Sequence, residues 1–197
     1  MFYAFDGIDG AGKSTQLRLF VEWLRSRGHD VVTCVDPGST PLGEAIRKIL
    51  LESRDTPISL RSEMLLFMAA RAQLVEQVIR PALDAGKTVV SDRFLLSNVV
   101  YQVHAGGLDV DTLWRIGEVA TAGIKPDRTF VLDMPPEAAT RRIGRELDRM
   151  ESNDDEYRRR LRAGFLAEAA RRPTEIIVID AARPIEVVHA DIIAQAL

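Results

Sequence analysis

Gly7-Ile8-Asp9-Gly10-Ala11-Gly12-Lys13-Ser14 sets glycines, a lysine and a hydroxyl in the order G-x-x-x-x-G-K-S, directly after the apolar run Phe2-Tyr3-Ala4-Phe5 and before a helical pattern. Between a strand and a helix, that spacing is a phosphate-binding loop. Its glycines let successive N–H groups turn inward at phosphate oxygens with no Cβ in the way, and the helix that follows adds its positive end. Lys13 is then expected to reach the β- and γ-phosphates as a mobile point charge, and the Ser14 hydroxyl to sit on a Mg2+ bridging them. Thr15 is a poor substitute for Ser14, being one residue out of register. The expected ligand is a purine nucleoside triphosphate, with Gly7, Ile8, Asp9, Gly10, Ala11, Gly12, Lys13, Ser14 and Thr15 around its phosphates.

Three further clusters could face those phosphates. Val89-Val90-Ser91-Asp92-Arg93 puts an acid and an arginine at the carboxyl end of an apolar strand, where open α/β sheets bind ligands. Asp92 suits Mg2+ or its water, and Arg93 offers a fork that fits phosphate bidentately, although an exposed acid–base pair closing a strand reads the same way. Phe67 and Arg71 share a helix face at i, i+4, so an aromatic plane and a guanidinium could take a base by its face and its edge; a core ring beside a surface arginine is the bland alternative. Residues 141–172 hold ten of the 26 Lys and Arg residues, all arginine, against seven acids. Arg141, Arg145 and Arg149 follow i, i+4, i+8. Such a run is either a solvated helix face or a flap that closes positive charge over a transferring phosphoryl group.

The elements that must position these residues alternate along the chain. Short apolar runs near 2–6, 31–35, 88–91, 128–133 and 175–179 are separated by helix-length stretches, which predicts a five-stranded parallel sheet covered on both faces, a three-layer α/β/α fold. Asp109 is placed to cap one helix, Pro135-Pro136 to open another, and Gly28 and Gly86 to stop two more. The run Met64-Leu65-Leu66-Phe67-Met68-Ala69-Ala70 within 60–83 is apolar too nearly all round for a single core-facing stripe, and a subunit interface of a homodimer is the expected use. With 197 residues, 46% hydrophobic and 28% charged, the composition is that of one globular domain over 1–197. A net charge of −3 argues against a nucleic-acid partner and for small phosphorylated substrates. The single Cys34, within Val31–Val35, cannot form an internal disulfide, and no apolar run approaches a membrane span; a cytoplasmic protein with no membrane partner is expected. His29, His104 and His189 lie far apart without zinc-site spacing, so no structural metal is expected.

Taken together the residues resemble the thymidylate kinase family over nearly the whole length: Phe5 to Thr15, Asp36-Pro37-Gly38-Ser39-Thr40-Pro41-Leu42-Gly43, Leu66-Phe67 with Ala70-Arg71, Asp92-Arg93-Phe94 with Ser97 and Tyr101-Gln102, Lys125-Pro126-Asp127, Leu132-Asp133, and Arg145 to Glu151. The resemblance implies a P-loop kinase fold with a short lid at about 141–153, and transfer of the γ-phosphoryl of ATP to dTMP with Mg2+. It implies that Phe67 stacks on thymine, Arg71 bonds its edge, and Ser97 or Asn98 completes the base pocket with Gln102 in the substrate site. Tyr101 would close on the sugar, Asp9 would contact its hydroxyl or a metal water, and Arg93 would hold the acceptor phosphate. With glycine at position 10 and Arg145 and Arg149 in the lid, the chain resembles the lid-arginine type common in bacteria.

Three stretches depart from the family pattern. Val35-Asp36-Pro37-Gly38-Ser39-Thr40 stands where Arg-Glu-Pro-Gly-Gly-Thr is usual, Asp6 where Glu is usual, and Val103-His104-Ala105-Gly106-Gly107 where a glycine-rich, arginine-bearing stretch is usual. Asp36, a methylene short, is expected to reach less far toward an arginine. Two alternatives follow: a kinase of the same fold with dUMP or a modified deoxynucleotide as acceptor, or a nucleotide-binding sensor without turnover. A GTPase is disfavoured, since neither Asn98 nor Asn153 begins the Asn-Lys-x-Asp signature that reads guanine.

Overall fold

A computed structural model describes residues 1–52, 57–143 and 154–196. Strands β1 (Phe2–Asp6), β2 (Val31–Val35), β3 (Thr88–Asp92), β4 (Arg128–Asp133) and β5 (Ile176–Asp180) form one parallel sheet in the order β2-β3-β1-β4-β5. Each lies within a residue of its expected range. β1, at the centre, is buried along its whole length, whereas β2 and β5 at the edges are buried only at their first and fourth residues. That is why the first strand reads as a continuous apolar run.

Alternation along β1 divides the core. Tyr3 and Phe5 point to the face covered by α1 (Lys13–Ser26), α8 (Asp155–Arg171) and α9 (Ile185–Ala194), and Phe2 and Ala4 to the face covered by α3 (Leu60–Leu74), α5 (Leu95–Val99) and α6 (Val110–Thr121). On the first face Phe20 and Phe130 lie 5.8 Å apart edge to face, with Tyr3 5.0 Å from Phe20 and Phe5 5.4 Å from Phe130. Helix starts follow the signals in the sequence: Asp109 Oδ1 accepts from Thr112 N at 2.8 Å, and Pro136 opens α7 (Pro136–Arg142) at its first turn. Thr40 caps α2 (Pro41–Leu51) in the same way, accepting from Gly43 N at 2.9 Å.

Two helical stretches are interrupted. The stretch 60–83 is not one helix: α3 passes through a π-helical turn, Val75–Ile79, into α4 (Arg80–Asp84). Pro81 has no N–H and its ring crowds the preceding turn, so the ladder widens ahead of it. Leu65 of α3 is 51% exposed, as the expectation of a face reserved for a second subunit requires of a single chain. The i, i+4, i+8 series from Arg141 also breaks, because Ile143 leaves the helical conformation with ψ 104° and closes α7. Arg145 and Arg149 lie outside the described residues.

Phe130→Ala removes the ring that Tyr3, Phe5 and Phe20 pack against. Urea denaturation should show an unfolding free energy lower by about 3–5 kcal/mol.

Candidate active site

The phosphate-binding loop joins β1 to α1 and is pressed against the structure behind it. Gly10 has φ +83°, and a Cβ there would lie 2.1 Å from the Ala139 carbonyl oxygen of α7; Gly7, at φ +130°, would meet the Leu132 carbonyl at 2.6 Å. Only glycine fits either position. Lys13 turns back over the loop, its Nζ donating to Gly7 O at 3.0 Å, Ile8 O at 2.9 Å and Asp9 Oδ1 at 3.2 Å. Burial lowers its pKa, as does the neighbouring Arg93, while Asp9 opposes them.

Arg93 follows β3 with φ +66°, a left-handed backbone costly for a side-chain-bearing residue. The turn brings its guanidinium back beneath the loop. Nη2 pairs with Asp9 Oδ1, while Nη1 donates to Gly7 O at 3.2 Å and to Ser97 Oγ at 2.8 Å. Tyr101 completes the group: its hydroxyl donates to Asp9 Oδ2 at 3.1 Å, and its ring lies 5.4 Å from the Arg93 guanidinium carbon. Burial alone would push the Asp9 carboxyl up, but Arg93 and Lys13 together hold it well below the usual carboxylate range.

Behind Arg93, Ser97 Oγ also bonds Asp6 Oδ1, and Asp6 Oδ2 is buried without a hydrogen-bond partner. Burial pushes this carboxyl up to about 7, against the lowering effect of Arg93. At the other end Arg71 is fully buried: Nε donates to Asp36 Oδ2 at 2.6 Å, and Nη1 to Asn98 Oδ1 at 2.9 Å. Burial raises the Asp36 carboxyl pKa, with Arg71 opposing.

These groups border one cleft of about 760 Å3. Of the residues expected in the site, Asp9, Gly10, Ala11, Gly12, Lys13, Ser14, Thr15, Phe67, Arg71, Asp92, Arg93, Ser97, Asn98, Tyr101 and Gln102 all border it, with Gly7 and Ile8 contributing carbonyls behind. Phe67 is half-buried, one helical turn before Arg71. Ser14 Oγ lies 3.4 Å from Asp92 Oδ2. A hydroxyl and a carboxylate are the hard oxygen donors that Mg2+ takes, and that ion needs only one or two from protein when phosphates and waters supply the rest. The pair fits it.

The cleft also holds residues that motif reading passed over. Arg47, on α2, also borders the cleft and donates to Pro37 O at 2.7 Å. Beyond the loop the cleft continues along Arg142, Ala181, Arg183, Pro184 and Ile185, where Arg142 Nη1 donates to Ala181 O at 3.4 Å. The sequence signal was present as Arg183-Pro184 after the last strand, at the same sheet end as the loop. Most other arginines of 141–172 that are described are tied to acids and do not line the cleft: Arg162 to Asp133 at 2.7 and 2.8 Å, Arg159 to Glu137 at 3.0 Å and Arg172 to Glu168 at 2.7 Å.

A thymidylate kinase family model matches residues 5–192. The chain is 46% identical over 193 residues to the thymidylate kinase of Symbiobacterium thermophilum, covering 98% of this chain and 90% of that one. It is 47% identical over 189 residues to that of Rhodopirellula baltica, covering 96% and 77%. The crystal structure of thymidylate kinase from Ehrlichia chaffeensis matches with a TM-score of 0.82 at 30% identity, over 100% of this chain and 98% of that one. The chain belongs to the thymidylate kinase family.

Within the family its departures find local explanations. Asp36 reaches its arginine in spite of the shorter side chain, so the expected loss of reach does not occur. Ser39, where thymidylate kinases often carry glycine, keeps a left-handed φ of +61° and donates its N–H to Glu44 Oε1 at 2.8 Å. The 103–107 stretch is docked rather than loose: His104 Nε2 lies 3.0 Å from Glu168 Oε1, and Gly164 of α8 sits so close that a Cβ there would meet His104 Cβ at 2.6 Å.

Asp6 makes a pH prediction. Its folded pKa of about 7 lies above the unfolded value near 3.8, so between those values the folded chain holds a proton that the unfolded chain has lost. This term favours folding at low pH, weakens as pH rises from about 4 to 7, and is level above. Asp6→Asn lacks it, so urea denaturation at a series of pH values should show the variant gaining on the wild type from pH 5 to pH 8. A constant difference would contradict this assignment.

Proposed function

We propose that the chain transfers the γ-phosphoryl of ATP to dTMP, giving dTDP and ADP for dTTP synthesis. The observation that carries this reading is the cleft in which Lys13 and Arg93 both lean on Asp9, with the phosphate loop on one side and Phe67 and Arg71 on the other. A nucleoside triphosphate and a nucleoside monophosphate entering from the two ends would meet with their phosphates at that point.

On this reading the loop N–H groups from Gly7 to Thr15 cradle the ATP phosphates, and the adenosine lies toward Arg142 and Arg183. Lys13 exchanges its loop carbonyls for β- and γ-phosphate oxygens. Phe67 stacks on thymine and Arg71 donates to its edge, with Ser97, Asn98 and Gln102 around it. Tyr101 closes on the sugar and Asp9 bonds its hydroxyl, while Arg93 and Arg47 hold the acceptor phosphate. An oxygen of that phosphate attacks the γ-phosphorus as the bond to the β–γ bridging oxygen breaks and ADP leaves. The nucleophile is already anionic, so positioning and charge are what the protein must supply, through Lys13, Arg93 and the lid residues Arg145 and Arg149. Mg2+ held at Ser14 and Asp92 would neutralise the charge that collects on the β- and γ-phosphates.

We read the chain as a single kinase domain with 141–153 as its lid. A homodimer is supported by the half-exposed Leu65 on α3, with Leu42 and Ile49 open on the adjacent α2. The cytoplasm is supported by the lone, buried Cys34, whose thiol burial pushes up to about 12.

ADP release with ATP, Mg2+ and each deoxynucleoside monophosphate in turn tests the reading. Strong activity with dTMP is expected; turnover with another acceptor only, or ATP binding without turnover, would overturn it. Lys13→Ala should lower kcat at least about a hundredfold, and wild-type turnover by that variant would remove Lys13 from the mechanism. Leu65→Asp should shift the light-scattering mass from dimer to monomer, and an unchanged dimer would place the interface elsewhere.

A further inference from the structure

A chain of buried polar side chains runs from Arg71 along the cleft wall and ends behind it at Glu63. Arg71 Nη1 donates to Asn98 Oδ1 at 2.9 Å, Asn98 Nδ2 donates to Gln102 Oε1, and Gln102 Nε2 donates to Glu63 Oε1 at 2.9 Å. Every member is at least nine-tenths buried: Arg71 is 1% exposed, Asn98 3%, Gln102 0% and Glu63 6%. Arg71, Asn98 and Gln102 border the cleft; Glu63, on α3 behind Gln102, does not.

The chemistry of the two ends fixes the middle. An amide can present either its oxygen or its NH2 to a neighbour, so Asn98 and Gln102 alone have no preferred direction. A guanidinium only donates and a carboxylate only accepts. Reversing both amides would set the Gln102 oxygen against Glu63 and the Asn98 NH2 against Arg71, leaving buried groups opposed to like groups at each end. Arg71 is held in turn by Asp36 at Nε, and by Met68 Sδ and Phe94 O, which with Asn98 occupies four of its five N–H bonds. One Nη2 N–H remains on a side chain that borders the cleft.

We infer that Glu63 is a specificity-determining positioning residue: by anchoring the far end of this chain it holds Asn98, and through it the Arg71 guanidinium, in the orientation that offers the remaining N–H to a base, and so sharpens selection of a pyrimidine with a 4-keto oxygen over one with a 4-amino group. The inference rests on the proposed acceptor site and deepens it. The keto oxygen of thymine accepts from the remaining Arg71 N–H, whereas the amino group of cytosine would bring a donor to a donor. A site built to pair one polar group rejects the analogue that leaves it unpaired far more strongly than shape alone does.

The test is steady-state kinetics with dTMP and dCMP. Glu63→Leu releases the Gln102 end, and should raise KM for dTMP and lower the dTMP:dCMP preference in kcat/KM, each by about tenfold or more, with KM for ATP unchanged. Glu63→Gln, whose carbonyl can still accept from Gln102, should keep the preference. If Glu63→Leu does not fold, the exchange E63Q/Q102E replaces it: Gln102→Glu alone sets two carboxylates face to face and should lose the preference, and the exchange should restore it. An unchanged KM and preference in Glu63→Leu, or an exchange no better than Gln102→Glu alone, overturns the inference while leaving dTMP as the acceptor. A wild type that does not turn over dTMP overturns both.

Discussion

Arg93 and Asp9 come from different strand ends and meet beneath the phosphate loop as an ion pair that neither could make alone. Asp9 is fixed by the loop, whose glycines admit no side chain against β4 and α7. Arg93 is brought there by a left-handed turn directly after β3. Lys13 and Tyr101 close on the same carboxylate, so four elements of the fold converge on one aspartate. Two cations at close range repel, and the shared acid between them makes the arrangement stable without phosphate. A polyanion entering the cleft then finds positive groups already gathered, and catalysis by charge needs them gathered beforehand.

The parallel sheet is what makes that convergence possible. β1 and β3 are neighbours, with Phe5 level with Asp92, so the loop after one and the Asp-Arg pair after the other emerge side by side at the carboxyl edge. A second set of polar groups does comparable work at the Arg71 end of the cleft. Asp36 and Asn98 clamp Arg71 from two sides, and a buried guanidinium with most of its donors engaged has one geometry in which to meet a ligand.

The strands were legible because each is a short run of mostly apolar residues, at the edges as at the centre, and each run ends at aspartate or just before it. The loop and the Asp-Arg pair were legible for a different reason, since their chemistry resides in short contiguous stretches. What escaped was anything assembled from distant positions. Arg47 and Arg183 look like ordinary surface arginines until the fold brings them to the cleft wall. The chain from Arg71 to Glu63 joins two positions eight apart on α3 to Asn98 and Gln102, four apart in a later helical stretch, and only the fold brings the two pairs together. The run of arginines after Arg141 misled in part, because Ile143 ends the helix and breaks the face that the spacing implied.

The central claim is that one cleft receives both nucleotides with their phosphates meeting at Lys13 and Arg93. Calorimetric titration of the wild-type protein with adenosine and thymidine joined through a polyphosphate chain tests it most directly. The account predicts one site per chain, affinity well above that for ATP or dTMP alone, and displacement by either nucleotide. Binding no tighter than ATP, or binding that dTMP does not displace, would contradict it.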